Sequence, residues 1–117
     1  MTIASYKGLT VWQKSISLVE NIYSITKKLP KEEVFGLTSQ MRRSAVSVPS
    51  NIAEGYNRQS IGDYIRFLNI AYGSVSELET QLIIMDKLYP EIDIASAKIL
   101  VEEIQKMLFV LIKKLSS

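Results

Sequence analysis

The chain has 117 residues, of which 47% are hydrophobic and 22% charged, and it carries a formal net charge of +2. This length suits one domain with one core, and the balance is that of a soluble globular protein rather than a disordered one. Cysteine and histidine are both absent, which excludes disulfides, thiol nucleophiles, thiolate or imidazole metal sites and imidazole-based acid–base catalysis, and no apolar run approaches the ~18 residues of a membrane span.

In chain order, the opening residues MTIASYKGL lack the charged and apolar regions of a signal peptide, so a cytoplasmic protein is expected. Thr10 and Gln13 have the spacing of a capping box, and Trp12, Val19, Ile22, Thr26 and Leu29 then recur at helical spacing up to Pro30. Residues 30–37, PKEEVFGL, predict a turn. Met41, Ala45, Val48, Ile52 and Tyr56 mark one face of a second helix. Ser60 with Asp63 offers another cap, opening a third helix with Ile61, Ile65, Leu68, Tyr72, Val75, Leu82 and Met85 on its stripe until Pro90. Asp93 can cap a last helix, in which Ala97, Val101, Ile104, Leu108, Leu111 and Leu115 keep a seven-residue repeat. Short connections between helices of similar length force antiparallel neighbours. The expected fold is all-α, an antiparallel up-down-up-down four-helix bundle forming a single domain over 1–117.

The second helix contains the run RRSAVSVPSNIAEG, residues 42–55, in which several residues weaken a helix. Pro49 removes one hydrogen bond and clashes with the preceding turn, so a bend is expected near Ala45 to Val48, with Ser44, Ser47 and Ser50 bonding back to freed carbonyls and Asn51 beyond the bend. Gly55 costs about 1 kcal/mol in an exposed helix interior, so a close helix contact is its expected reason. The hairpin turn near residues 59 and 60 then sets Arg42 and Arg43 opposite Ser76, Glu77 and Glu79, and Glu54 near Arg66 and one turn before Arg58. Two accounts of these charges are open. They form ion pairs, within the chain or between subunits, that fix register; or the arginines, all four of which lie in this hairpin, bind an anion such as phosphate.

Charge distribution says more than the total. Residues 1–66 hold nine basic and five acidic residues, and residues 67–117 hold five and seven. In an up-down-up-down bundle one end collects Lys7, Lys14, Arg58, Arg66, Lys113 and Lys114 against Glu54 and Asp63, while Glu32, Glu33, Asp86, Glu91 and Asp93 gather at the other. Complementing the helix dipole explains Lys113 and Lys114 alone. Lys14, Arg58, Arg66, Lys113 and Lys114 are therefore the candidate phosphate-contacting set. The six tyrosines have core or interface spacing rather than that of a base-stacking platform. Glu54, Glu77 and Glu79 resemble paired carboxylates, but without histidine and with arginines opposite they carry no expectation of catalysis, metal or cofactor. Around Val101 to Leu115 the last helix is apolar on more than one side, through Leu100, Met107, Phe109, Val110 and Ile112, which predicts a second subunit against it.

The run Leu37, Thr38, Gln40, Arg42, Arg43, Ala45, Ser47, Val48, Pro49, Asn51, Ile52, Ala53, Glu54 and Gly55 resembles a bacterial four-helix-bundle family, the 23S rRNA intervening sequence proteins. Arg66, Phe67, Leu68, Ala71, Gly73, Ser74, Glu77, Leu78 and Glu79 continue the resemblance, and Leu9, Val11, Trp12 and Gln13 fit its opening pattern. It implies a ring-like homopentamer without established enzymatic activity. The chain is also similar to the accessory protein of diversity-generating retroelements, a basic pentamer that binds nucleic acid and works with a reverse transcriptase. The expectation is thus a non-enzymatic oligomer that contacts RNA, DNA or a nucleoprotein. The alternative is a protein-interaction scaffold in which the charges only build the ring.

Overall fold

A computed structural model describes residues 5–117. Among these residues there are four α-helices and no strand: α1 (Thr10–Thr26), α2 (Leu37–Tyr56), α3 (Ile61–Leu88) and α4 (Ala95–Ser116). Each helix packs on its chain neighbours, and α4 returns to α1, while the backbones of the diagonal pairs stay farther apart. This is the expected antiparallel up-down-up-down bundle. Its most extensive helix pairing is the α2–α3 hairpin.

One core runs through it. Leu18 and Ile22 of α1, Met41, Ala45, Val48 and Ile52 of α2, Leu68, Val75, Leu78 and Met85 of α3, and Ala97, Ile104 and Leu108 of α4 are fully buried. Each large side chain among them stabilises the fold by about 1.5–3 kcal/mol relative to exposure. Of the predicted first stripe, Ile22, Thr26 and Leu29 are buried, while at its start Val11 and Leu18 enter the core in place of Trp12 and Val19, which are only partly buried. Buried hydroxyls need partners, and Ser15 and Thr26 donate back to the carbonyls of Val11 and Ile22 at 2.7 and 2.6 Å.

The helix ends follow local chemistry, with two departures from expectation. Ser60 Oγ accepts from the Asp63 amide at 3.1 Å, as predicted for α3. Thr10, in contrast, is already helical. A 3-10 turn over Tyr6–Gly8 leads into extended Leu9, which flanks α1 without a side-chain cap, and Gln13 donates instead to the Lys7 carbonyl at 2.9 Å. Asp93 accepts from the Ala95 amide at 3.0 Å, one residue outside the flanking Ile94. The PKEEVFGL turn contains a 3-10 turn over Lys31–Glu33, and Glu33 Oε1 receives the Leu37 amide that opens α2.

Pro49 is buried inside an α2 that continues to Tyr56. The Ser47 hydroxyl is not spent on a freed carbonyl. It meets Ser74 Oγ of α3 at 2.8 Å and receives Asn51 Nδ2, which also bonds the Ser47 carbonyl. These polar contacts tie α2 to α3 in a fixed register.

Candidate nucleic-acid interface

The tip of the α2–α3 hairpin is built around Gly55. A Cβ there would stand 2.8 Å from Phe67 Cβ and 3.1 Å from the Tyr64 carbonyl oxygen, so the two backbones approach as only glycine permits. Phe67 is thereby held at the tip, and two guanidinium groups lie over its ring, Arg58 at 4.8 Å and Arg66 at 4.5 Å from the centroid. Contacts of this kind contribute about 0.5–1 kcal/mol at exposed sites. Each arginine also has a carboxylate one turn away: Arg58 Nη2 bonds Glu54 Oε2 at 2.9 Å, and Arg66 Nε is 3.7 Å from Asp63 Oδ1. Glu54 thus serves Arg58, and Asp63 takes the place expected of Glu54 beside Arg66.

Lys113 and Lys114 project from the last turns of α4, both exposed and neither in an ion pair among the described residues. Lys113 Nζ lies 5.7 Å from the Phe109 ring centroid. Lys14 is elsewhere. It bridges to Glu103 at 3.3 Å, and Glu103 precedes Lys113 by ten residues, about 15 Å along a helix. The structure therefore groups Arg58 with Arg66 and sets Lys113 and Lys114 on the same end of the bundle, but leaves Lys14 on its flank.

The paired arginines of α2 part company. Neighbouring residues on a helix point about 100° apart, so Arg42 and Arg43 cannot both face α3. Arg42 turns to α1, donating from Nε to Thr26 Oγ1 at 2.9 Å and from Nη2 to the Tyr23 carbonyl at 3.4 Å, with its guanidinium 4.4 Å from the Tyr23 ring centroid. It closes the end of α1 and has no bond to Glu77 or Glu79. Arg43 stays exposed and shares with Ser47, Ser74 and Glu77 a polar channel of about 430 Å³ between α2 and α3, without an ion pair among the described residues. Glu79 accepts from Gln105 of α4 at 3.3 Å.

Three features were missed in the sequence. Phe35, in the turn before α2, is 96% exposed; its signal was an aromatic in a turn between two helices. Tyr89 bonds Glu33 at 2.6 Å across 56 residues, a pairing that local pattern does not reveal. Lys14 and Glu103 meet for the same long-range reason. Among the described residues no group of His, Cys, Asp or Glu is arranged to hold a metal ion, and no helix is long and apolar enough to cross a membrane.

Helix order, the tight α2–α3 hairpin and its charged tip together define a small antiparallel four-helix-bundle protein. The family model described as 23S rRNA-intervening sequence protein matches residues 7–110, and the chain belongs to that family. Among solved structures it is similar to a protein of unknown function from the S23 ribosomal protein family of Bacteroides thetaiotaomicron. The two are 30% identical over 89% of this chain and 99% of that one, with a TM-score of 0.78. No curated protein matches the chain.

Proposed function

We propose that this protein is a cytoplasmic, non-enzymatic homo-oligomer, a ring of five copies, that holds structured RNA or DNA by its phosphates at the basic end of the bundle. The observation that carries the proposal is the arginine pair over Phe67 at the hairpin tip, on the same end as Lys113 and Lys114. The shared ring restrains two guanidinium groups side by side, and a planar fork suits phosphate oxygens better than a flexible ammonium does. The carboxylates of Glu54 and Asp63 do not forbid this, because an exposed pair one turn apart is worth only about 0.3–0.5 kcal/mol. One copy offers few contacts, and a ring multiplies them. Binding of this kind reads shape and backbone rather than bases, since neither a basic recognition helix nor an aromatic sheet is present among the described residues. A reverse transcriptase is the example of a protein partner that the family resemblance supplies.

A protein-interaction scaffold is the second reading, and one observation favours it: Arg58, Arg66 and Lys14 already have carboxylate partners within the chain. Titration of a labelled RNA hairpin and a DNA duplex over a salt series separates the two. For nucleic-acid binding, Lys113→Gln with Lys114→Gln weakens affinity about equally across sequences and lowers the salt slope by about one unit for each phosphate left without its ammonium partner. Undetectable affinity for both at low salt favours the scaffold.

A further inference from the structure

Phe35 projects into solvent from the turn before α2, 96% exposed, and Arg43 stands near it without a carboxylate partner among the described residues. On the adjoining side of the molecule, between α3 and α4, lies a cavity of about 220 Å³ with Leu82, Ile83, Ile94 and Val101 in its wall. That volume is below the roughly 300 Å³ at which small-molecule sites begin, and it suits one side chain. Its rim holds the carboxylates of Glu79, Asp86 and Glu102 against the ammonium groups of Lys87 and Lys98, so an incoming cation meets an excess of negative charge.

We propose that Phe35 of one copy seats in the α3–α4 cavity of the next, with its Arg43 reaching the carboxylates of that rim. The proposal rests on the oligomeric reading above and assigns its contact. Three observations favour a second copy as the occupant.

The first is height. Ser47 and Ser74 touch, and counting equal numbers of residues from that contact toward the start of α2 and the end of α3 brings the Phe35 turn level with Asp86. A ring whose axis runs along the bundle has no translation between copies, so knob and cavity must lie at one level, and they do.

The second is direction. The knob belongs to the α2–α3 side and the cavity to the α3–α4 side, and neighbouring sides of a four-helix bundle meet at roughly a right angle. A heterologous contact repeated with that turn closes a ring after about four or five copies, whereas opposite faces would build a filament.

The third is the pattern on α3, the helix that both sides share. Along its exposed side Asn69, Gly73 and Thr80 are polar or glycine. Apolar residues, exposed or half-buried, flank that line on both sides. Ile70 and Ile84 fall two turns before and after Glu77, on the edge toward α2, and Tyr72 and Ile83 line grooves against α4. Such a helix fits a watery lumen with an interface along each edge.

The chain has no cysteine, so Phe35→Cys and Ile83→Cys introduce the sole thiols. After mild oxidation each single variant alone should stay uncross-linked, a mixture of the two should give dimers, and the doubly substituted chain should give a ladder ending at the mass of the intact ring. Phe35→Ala should raise the dissociation constant of the assembly about tenfold or more, with the helical signal unchanged because Phe35 touches no core. If the unmodified chain sediments as an oligomer, then a doubly substituted chain that assembles but yields no ladder, or an oligomer indifferent to Phe35→Ala, overturns this contact and leaves the oligomeric reading standing. A monomeric unmodified chain overturns both.

Discussion

The Tyr89 hydroxyl donates to Glu33 Oε2 at 2.6 Å, while the other oxygen of the same carboxylate accepts the Leu37 amide at 3.2 Å. One side chain thus opens α2 and fastens the α1–α2 connection to the α3–α4 connection. The bonds from Tyr89 and Leu37 hold the Glu33 carboxyl below its ordinary range. Tyr89 is pushed up to about 12, first by its bond to Glu33, then by burial and by the charges of Glu33, Glu32 and Glu91.

For a carboxyl held low in the fold, the stabilisation is present above its unfolded pKa and is lost as pH falls through the folded one. For a tyrosine held high, it is present below about 10 and lost as pH rises toward the folded value. Tyr89→Phe should therefore lower the thermal midpoint most at neutral pH. The difference from the unmodified chain should shrink on acidification below the carboxylate range and again on approaching pH 12. Paired melts across a pH series measure it, and a difference independent of pH would contradict the assignment.

Gly55→Ala tests the hairpin contact. Alanine gains about 1 kcal/mol of intrinsic helix propensity over glycine, yet its Cβ would meet Phe67 Cβ at 2.8 Å, where no flexible side-chain end can give way. Overpacking of this sort costs about 1–3 kcal/mol. The substitution should lower the urea midpoint, and Gly55→Leu should lower it further. An unchanged midpoint in both would remove the packing account of the NIAEG run.

The helices, their antiparallel order and the close approach at Gly55 were legible in the sequence because periodicity, caps and a misplaced glycine are local signals. Arg42 was not, because the hairpin rule gave its level along α3 but not its direction around α2. The Thr10–Gln13 spacing misled for a related reason: the 3-10 turn ahead of α1 supplied a carbonyl at Lys7 that competed for the Gln13 amide. Glu33 with Tyr89, and Lys14 with Glu103, join residues far apart in the chain, so only the packed bundle brings them together.

Arg42 and Arg43 should now separate cleanly. Arg42→Ala removes two charge-assisted bonds that close α1 and should cost about 1.5–3 kcal/mol at any protein concentration. Arg43→Ala breaks no side-chain bond among the described residues and should change the dependence of stability on concentration instead. Denaturation at two widely spaced concentrations distinguishes them. Equal behaviour of the two variants would contradict the split.

Val110 is 51% exposed on α4 beside Phe109, which is 54% exposed. Val110→Lys should release folded monomers, since a lysine is accepted at a solvated site and rejected at a desolvated apolar interface. Sedimentation with far-ultraviolet circular dichroism reads both properties. An intact oligomer would place the interface elsewhere.

Sedimentation velocity of the unmodified chain, alone and with a labelled RNA hairpin at low salt, bears on assembly and binding together. The proposed function predicts one oligomeric species that carries the RNA with it and releases it as salt rises. A monomer, or an oligomer that leaves the RNA sedimenting on its own at low salt, would contradict it.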